Sequence, residues 1–213
     1  MRLLVTGAES PLGRVVVEAL EGEHELRGTG DADLRSPEQL RPLLEGVETV
    51  LHLAPHSPAS PATPEAEAEV LDLAARGTYV LLKEALAAGV RRVVLASRLE
   101  VLTRYEEAYL LDESWKPRPA PEAAALAPHL AELAVREFVR AEPLLAVCLR
   151  LGDLDGADPA TSPALAVEAI RKALALDPGG SHYRWWLYHV TESPRFSPAR
   201  AAEAPLGLRG GGA

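Results

Sequence analysis

The chain has 213 residues, with 31 acidic and 22 basic side chains and a net charge of −9. This charge disfavours a nucleic-acid partner, because neutralising phosphates requires clustered lysine and arginine. Apolar residues make up 47% of the chain, which is ordinary for a globular protein. No stretch approaches the roughly 20 apolar residues of a membrane span, so we expect no membrane partner.

Two features of the composition bear on the setting of the protein. The single cysteine, Cys148, lies in an apolar run, so we expect it in the core, with no disulfide inside the monomer. The chain begins on a predicted strand with no signal peptide, which predicts a cytoplasmic protein. Asparagine is absent and proline is frequent, a composition that fits a hot habitat or a GC-rich genome.

The first stretch predicts a strand, a glycine turn and a helix. Residues 2–6 (RLLVT) form a short apolar run, Gly7 ends it, and Gly13 opens an amphipathic run. This arrangement is typical of the corner that receives a dinucleotide pyrophosphate at a helix N-terminus. The middle glycine of the full fingerprint is replaced by Ser10, followed by Pro11, so an ordinary strand-to-helix loop stays an alternative.

Strand and helix patterns alternate along the rest of the chain. The predicted strands cover residues 23–29, 47–54, 90–97, 144–151 and 183–190, the last as an edge strand, and the predicted helices cover 37–44, 63–89, 122–140 and 162–176. This alternation predicts an α/β fold with a doubly wound parallel sheet, Rossmann-like. The proline-rich loop 55–61 follows a predicted strand at the edge where ligands bind in such sheets.

Two polar groups in this pattern have open interpretations. Asp31 follows the second predicted strand about 20 residues after the glycine turn, where a ribose-binding carboxylate is expected, and Asp33 comes soon after. A solvated turn explains both aspartates equally well. For His52, inside a buried strand, we favour a hydrogen-bonded core histidine over a ligand.

Five segments, in the right order, resemble the extended short-chain dehydrogenase/reductase family, the NAD-dependent epimerase/dehydratase group. They are VTGAESPLG, ADLRSPEQLRPLLEGVETVLHLAP, RGTYVLLKEALAAGVRRVVLAS, LDESWKPRP and LRLGDLDG. The resemblance implies NAD or NADP as cofactor, or none if binding has decayed. Asp31 favours NAD by repelling a 2′-phosphate, and the nearby Arg27 and Arg35 weaken that preference.

The resemblance also assigns cofactor contacts to particular residues. The pyrophosphate would lie on the glycine turn, the adenosine on the second and third strand ends, and the nicotinamide ribose at the fourth. The implied contacts are Gly7, Ser10, Pro11, Leu12 and Gly13 for the pyrophosphate, Asp31, Asp33, Leu34, Leu53, Ala54 and Pro55 for the adenosine, and Ala96 and Ser97 for the nicotinamide ribose.

The catalytic residues of the family are where the sequence departs from the resemblance. The family uses a Tyr-x-x-x-Lys pair on the helix after the LDES loop, with a Ser or Thr beyond the preceding strand. If Glu137 is the acid that follows the lysine by four, His129 takes the tyrosine position and Leu133 the lysine position. The serine position falls on Arg98, one residue after Ser97. We therefore expect the Tyr-x-x-x-Lys pair to be missing from the chain, and no metal site is indicated.

Three functions stay open from the sequence. The first is a catalytically degenerate dinucleotide-binding module. The second is a divergent epimerase, dehydratase or reductase that uses another group, with His129, Tyr105 and Ser97 as candidates. The third is a structural protein in which Ser10 and Pro11 have closed the cradle.

The resemblance also implies an organisation for the chain. Residues 1–158 would form the dinucleotide-binding domain, and residues 159–213 a reduced C-terminal substrate lobe with a flexible RGGGA tail. The family pairs through helices that correspond to residues 66–88 and 122–140, so a homodimer is expected. A dinucleotide or related small molecule is the expected ligand.

Overall fold

The computed structural model describes residues 1–56, 62–197, 199–203 and 205–208. Within these residues, six strands form one sheet in the order β2-β1-β3-β4-β5-β6, and all neighbouring strands are parallel. The strands are β1 (Arg2–Thr6), β2 (Glu25–Gly28), β3 (Thr49–His52), β4 (Arg92–Arg98), β5 (Leu145–Leu151) and β6 (Trp185–Val190). The predicted Rossmann-like parallel sheet is confirmed, and β6 is an edge strand, with β2 at the opposite edge.

Helices connect the strands and cover both faces of the sheet. They are α1 (Pro11–Leu20), α2 (Pro37–Leu44), α3 (Pro64–Asp72), α4 (Thr78–Ala87), α5 (Ala123–Ala141), α6 (Pro163–Ala175) and α7 (Ala199–Ala202). Four of them begin with a serine or threonine cap followed by proline, and each cap accepts a backbone N–H from three residues later. The caps are Ser10, Ser36, Thr63 and Ser162.

Alternate residues of the strands feed two cores, one on each face of the sheet. On one face, α1 and α6 pack over residues such as Val5, Val94 and Val147. On the other face, α2, α4 and α5 pack over a second set that includes Val50 and Cys148. Full burial on both faces explains why the strands are almost continuously apolar. Cys148 is buried, as expected, and burial raises the pKa of its thiol well above its usual value.

The expected long helix over residues 63–89 is divided by a π-helical turn, Leu73–Gly77, which joins α3 to α4. A Cβ atom added to Gly77 would lie 3.2 Å from Leu73 Cδ1 and 3.3 Å from Leu34 Cβ. The glycine therefore lets this helix pack closely against the loop between β2 and α2, which brings Leu34 to the carboxyl edge of the sheet.

After β5, the chain forms one more helix and then one more strand of the sheet. Helix α6 leads to β6, which pairs with β5 from Ala146↔Trp185 to Leu151↔Val190. Beyond β6, the Leu111 N–H donates to the Arg195 carbonyl oxygen at 2.9 Å, which ties the C-terminal segment to the loop after β4. The division at residue 158 stays a prediction. The RGGGA tail, residues 209–213, and loop residues 57–61 lie outside the described residues.

Candidate functional site

The turn between β1 and α1 has the shape that the sequence predicts. Gly7 has a φ of +70°, and a Cβ added to it would lie 2.8 Å from the Ala54 backbone. A Cβ added to Gly13 would collide with the Gly7 carbonyl oxygen. Neither position tolerates a side chain, because the backbone itself occupies the space.

Few backbone donors remain free at the start of α1. Ser10 Oγ donates to the Gly7 carbonyl at 2.7 Å and accepts the Gly13 N–H at 3.0 Å. Pro11 has no N–H. The N–H of Leu12, the second helical residue, has no acceptor among the described residues. Among the first three residues of this helix, one backbone donor is therefore available to an anion.

The two aspartates of the loop after β2, Asp31 and Asp33, have different environments. Asp33 Oδ1 accepts the Arg35 Nε–H at 2.8 Å, and this bond to Arg35 lowers the pKa of Asp33. Arg35 also pairs with Glu69 and Asp72 on α3, at 2.7 Å and 3.1 Å. Asp31 is exposed and makes no hydrogen bond to the described residues. Asp33 therefore holds the loop, and Asp31 is free to meet a ligand.

Three of the predicted adenosine contacts come together in one cavity of about 120 Å3. Leu34, Ala54 and Pro55 line it, and the other walls come from α3 to α4 and from Ala124 and Ala127 of α5. We call it the apolar cavity. It lies on the α2/α4/α5 side of the sheet, and its lining is mostly apolar.

The other predicted cofactor contacts lie deeper in the protein. Leu53 and Ala96 are buried in the core beneath α1, and neither lines the apolar cavity. His52 does line it, and its ring nitrogens contact Thr6 Oγ1 at 2.7 Å and Thr78 Oγ1 at 2.9 Å. Burial lowers the pKa of His52 to about 3, so it is a neutral core histidine.

A second cavity, of about 140 Å3, lies between the start of α1 and the end of β4. Pro11, His56, Arg98 and Asp153 are among its lining residues. Arg98 is 8% exposed; its Nε pairs with Glu100 Oε2 at 3.1 Å, its Nη2 donates to Asp153 Oδ1 at 2.7 Å, and its Nη1 has no partner among the described residues. Burial, with the charge of Arg98, lowers the pKa of His56 to about 4. We call this the Arg98 cavity.

The three catalytic candidates are not brought together. Ser97 Oγ donates to Glu132 Oε1 at 2.6 Å and is fully buried. The Tyr105 hydroxyl donates to the Lys116 carbonyl at 3.0 Å, and its ring packs 4.8 Å from the Trp115 ring. His129 is half-buried in a third cavity that shares no lining residue with the apolar cavity or the Arg98 cavity.

The expectation that the chain lacks a Tyr-x-x-x-Lys spacing is wrong. Tyr79 and Lys83 have this spacing, but they lie on α4 and not on α5. Tyr79 is 50% exposed, and its ring packs edge-on against Phe138 at 5.5 Å. Neither residue lines one of the three cavities. The spacing here serves helix packing on the surface.

Sequence reasoning missed the most buried ion pair of the described chain. Arg150 of β5 donates through Nε and Nη2 to Glu132 of α5, each at 2.8 Å, and the two side chains are only 2% and 6% exposed. An arginine inside an apolar strand was the available signal, because a charge is buried only with a partner. Glu137, used to set the helix register, is exposed and pairs with Arg140 at 3.0 Å.

Comparison with known proteins gives the family. A model of the NAD dependent epimerase/dehydratase family matches residues 3–188. The chain belongs to this family. An L-arabinose 1-dehydrogenase (NAD(P)(+)) of Haloferax volcanii is 35% identical to this epimerase/dehydratase family member over 114 residues. That match covers 49% of this chain and 43% of the relative, so the likeness spans less than half of the curated protein.

Solved structures agree on the fold of this family member. A short-chain dehydrogenase/reductase superfamily protein from Agrobacterium tumefaciens with bound NAD is 31% identical, with a TM-score of 0.62, over 71% of this chain and 49% of its own. The uronate dehydrogenase of the same organism is 19% identical with a TM-score of 0.77, over 98% and 83%. The protein has the NAD(P)-binding fold of the family.

Two absences are limited to the described residues. No helix among them is long and apolar enough to cross a membrane. No cluster of three or more histidine, cysteine, aspartate or glutamate side chains in the same residues has the arrangement that a metal ion needs.

Proposed function

We propose that this epimerase/dehydratase family member binds a nicotinamide dinucleotide, NAD in preference to NADP, and does not turn over a substrate with it. The observation that carries the proposal is a contrast. The β1–α1 turn has Gly7 and Gly13 and a free N–H at Leu12, while α5 presents only alanines to the apolar cavity. In this proposal, the β1–α1 turn can hold a dinucleotide, whereas α5 lacks the side chains for chemistry at the same sheet edge.

The residues around the turn fit a diphosphate. The Leu12 N–H is free at the positive end of α1, and a phosphate oxygen is the acceptor that this position favours. Across the Arg98 cavity from Pro11, the buried Arg98 Nη1 has no partner among the described residues. An arginine at this point supplies a cation on the side where proline has removed an N–H.

The register of α5 supports the loss of chemistry. If the buried Glu132 is the family's acid, in place of the exposed Glu137, the tyrosine and lysine positions move to Ala124 and Pro128. We prefer this register because Ala124 lines the same cavity as Ala54 and Pro55, whereas His129 lies elsewhere. Both registers leave the helix without a phenol or an ammonium group.

The cofactor would bring hydride transfer to the sheet edge, and this reaction needs a group that moves a proton on the substrate. In the register that we prefer, neither Ala124 nor Pro128 has a side-chain proton to give or take. The serine position is taken by Arg98, whose guanidinium group offers hydrogen-bond donors and no acceptor. The chain's own residues there bind and orient; they do not exchange protons.

The preference for NAD rests on what the nearby arginines already contact. Arg27 Nη1 donates to the Leu43 carbonyl at 2.8 Å and to two neighbouring carbonyls at the end of α2. Arg35 is held by Asp33, Glu69 and Asp72. Neither arginine is free for a 2′-phosphate, and the exposed Asp31 would repel one.

Calorimetric titration with NAD, NADH, NADP and NADPH tests the binding half of the proposal. We expect binding of the NAD pair to the wild type and weaker binding of the NADP pair. Pro11→Ala restores one N–H to the start of α1 and should tighten NAD binding by about 5-fold. Pro163→Ala, at the equivalent capped position of α6, is the matched control and should change nothing.

Arg98→Gln tests the other side of the same cavity. We expect NAD binding to weaken by about 10-fold, because the cation facing the diphosphate is removed while Asp153 stays. Four flat titrations with the wild type would overturn the proposal and favour a purely structural protein. Unchanged binding by Arg98→Gln, with the wild type binding, would remove only the role of the arginine.

One observation favours a second function, a divergent enzyme. His129 Nδ1 is buried without a partner among the described residues, in a cavity that also holds Glu113 and Glu132. Burial lowers the pKa of His129, so the ring is a neutral base at pH 7. Sugar oxidation or epimerisation that disappears in a folded His129→Ala variant would support this function.

We also infer a homodimer through α3, α4 and α5. The half-exposed Tyr79 packs against Phe138 on the outer side of these helices, within the expected pairing segments 66–88 and 122–140. Light scattering should give twice the monomer mass for the wild type and a smaller mass for Tyr79→Glu. A monomeric wild type at micromolar concentration would overturn this inference.

A further inference from the structure

The third cavity, of about 210 Å3, lies at the β6 edge of the sheet. Its walls come from α5, from the ends of β5 and β6, from the 113–117 loop and from α7. The arginines that line it are Arg136, Arg150 and Arg200, so we call it the arginine cavity. None of its lining residues is among the predicted cofactor contacts.

The lining of the arginine cavity is positive, although the chain carries a net charge of −9. Lys116 joins the three arginines, and only Glu113 and Glu132 oppose them. Glu132 is committed to Arg150 at 2.8 Å. Burial raises the pKa of Glu113, which favours its neutral form. An excess of positive charge therefore faces the space inside the cavity.

Two of these cations, Arg200 and Lys116, make no ion pair within the described part of the chain. Arg136 is paired at 3.7 Å with Glu137, which is itself exposed. Unpaired cations at the mouth of the cavity attract anions, and this attraction is screened at high salt.

The deepest cation is Arg150, which is 2% exposed. Its Nε and Nη2 are held by Glu132, while its Nη1 has no partner among the described residues. The Nδ1 of His129, which also lines the cavity, is buried and unpartnered in the same residues. A buried donor of a charged group is costly to leave unpaired, so Arg150 Nη1 favours an acceptor such as a ligand oxygen.

The rest of the wall is apolar and partly aromatic. Trp185, Leu187 and Leu133 line the cavity, and Trp115 lies at the 113–117 loop. Such a wall suits a flat or aliphatic body, while Arg150 suits an oxyanion head. The volume admits only a small molecule.

We propose that the arginine cavity is a binding site for a small organic oxyanion, a carboxylate or phosphate monoester, with its head on Arg150 and its body against Trp185. The site is separate from the dinucleotide site, because the two share no lining residue. It does not require that the protein bind a dinucleotide.

Tryptophan fluorescence tests the site directly, since two of the three tryptophans, Trp115 and Trp185, line it. The probes are benzoate and phenyl phosphate, with benzyl alcohol as the uncharged control and inorganic phosphate as the head without a body. We expect benzoate, phenyl phosphate or both to change the emission with a Kd below about 1 mM, and benzyl alcohol to have no effect.

Variants of two exposed arginines at the mouth of the cavity test binding without disturbing the core. Arg200→Gln and Arg136→Gln should each weaken binding by about 3- to 10-fold, whereas Lys83→Gln on α4, an exposed residue outside the cavity, should not. Arg150→Lys keeps a charge for Glu132 and removes the free Nη1, and should weaken binding more than the mouth variants.

Three results would overturn the proposal. The first is no emission change with benzoate or phenyl phosphate at about 10 mM. The second is equal binding of benzyl alcohol or equal loss in Lys83→Gln, which would show a non-specific effect. The third is binding of inorganic phosphate as tight as phenyl phosphate, which would show that the apolar wall contributes nothing. Dinucleotide titration is measured separately, so failure of one site leaves the other intact.

Discussion

The starts of α1 and α5 lie at the same edge of the sheet, but the residues at these two helix starts differ in how strongly the surrounding structure constrains them. At α1, Gly7 and Gly13 remain, and both are required by neighbouring backbone. At α5, the cavity-facing residues are Ala124 and Ala127, which the fold does not specify beyond their small size. The glycines at α1 therefore have a packing role, whereas the alanines at α5 offer the apolar cavity no side-chain proton donor or acceptor.

The presence of these glycines does not by itself indicate a bound dinucleotide. Because Gly13 would be needed even without a ligand, its presence is weak support for dinucleotide binding. The free Leu12 N–H and the unpartnered Nη1 of Arg98 are stronger support, since neither is explained by packing.

The largest effect is expected for Gly13→Ala without any ligand. The new Cβ meets the Gly7 carbonyl, so the turn must shift, and we expect a loss of about 3–5 kcal/mol in the free energy of unfolding. Gly180→Ala, where an added Cβ meets nothing within 4 Å, is the control in urea denaturation. A stable Gly13→Ala protein that has lost only ligand binding would reverse our reading of this corner.

Substitutions of two glutamates of α5 should differ almost as strongly in their effect on the free energy of unfolding. Glu132→Gln leaves the Arg150 charge buried without its counter-ion, and should cost about 3 kcal/mol in urea denaturation. Glu137→Gln removes an exposed pair with Arg140 and should stay within about 0.5 kcal/mol. Equal losses would argue that Glu132 is not the anchoring acid of the helix.

Acid should destabilise the protein before its carboxylates titrate. Burial lowers the pKa of His52 and His189 to about 3 and of His56 to about 4, from 6.5. Below pH 6.5 the unfolded chain therefore binds protons that the folded chain does not. Each such histidine removes about 1.4 kcal/mol of stability per pH unit as the pH falls from 6.5 towards 4.

His189→Phe sharpens the acid prediction. Both ring nitrogens of His189 are buried without partners among the described residues, and the ring packs on Phe196 at 6.0 Å. The variant should gain stability, and urea denaturation between pH 7 and pH 5 should show a smaller loss than in the wild type. His182→Gln, at an exposed position, should follow the wild type. Parallel pH profiles for all three proteins would contradict the assignment.

The smallest effect concerns cofactor choice. Asp31→Asn removes the exposed carboxylate after β2, and we expect the ratio of NAD to NADP affinity to fall by about 3- to 10-fold. Asp33→Asn is the comparison, because its effect should be on the loop held by Arg35 and not on the ratio. Calorimetry with both nucleotides measures it, and an unchanged ratio in Asp31→Asn would contradict the role of this residue.

Much of the fold was readable from the sequence, because strand runs, glycine turns and Ser-Pro or Thr-Pro caps are local signals. The edge strand β6 and the core histidine His52 were both anticipated. The division of the long helix at Leu73–Gly77 was visible only as a glycine inside an apolar pattern.

The site was less predictable, since its parts meet only in the folded chain. Leu34, Ala54 and Pro55 do come together, but Leu53 and Ala96 are buried in the core beneath α1, and Ser97 is buried against Glu132. The Glu132–Arg150 pair joins residues 18 positions apart, and no local pattern links them. The arginine cavity combines five separate segments, so sequence spacing could not reveal it.

The most direct test of the account follows absorbance at 340 nm with protein saturated by NAD. Saturation is checked by the rise in Tm that NAD binding should produce. L-Arabinose and uronates are then added, because the names of the two similar dehydrogenases specify these sugars. The account predicts a Tm shift and no NADH formation above the protein-free blank. NADH formation that scales with protein concentration would contradict it.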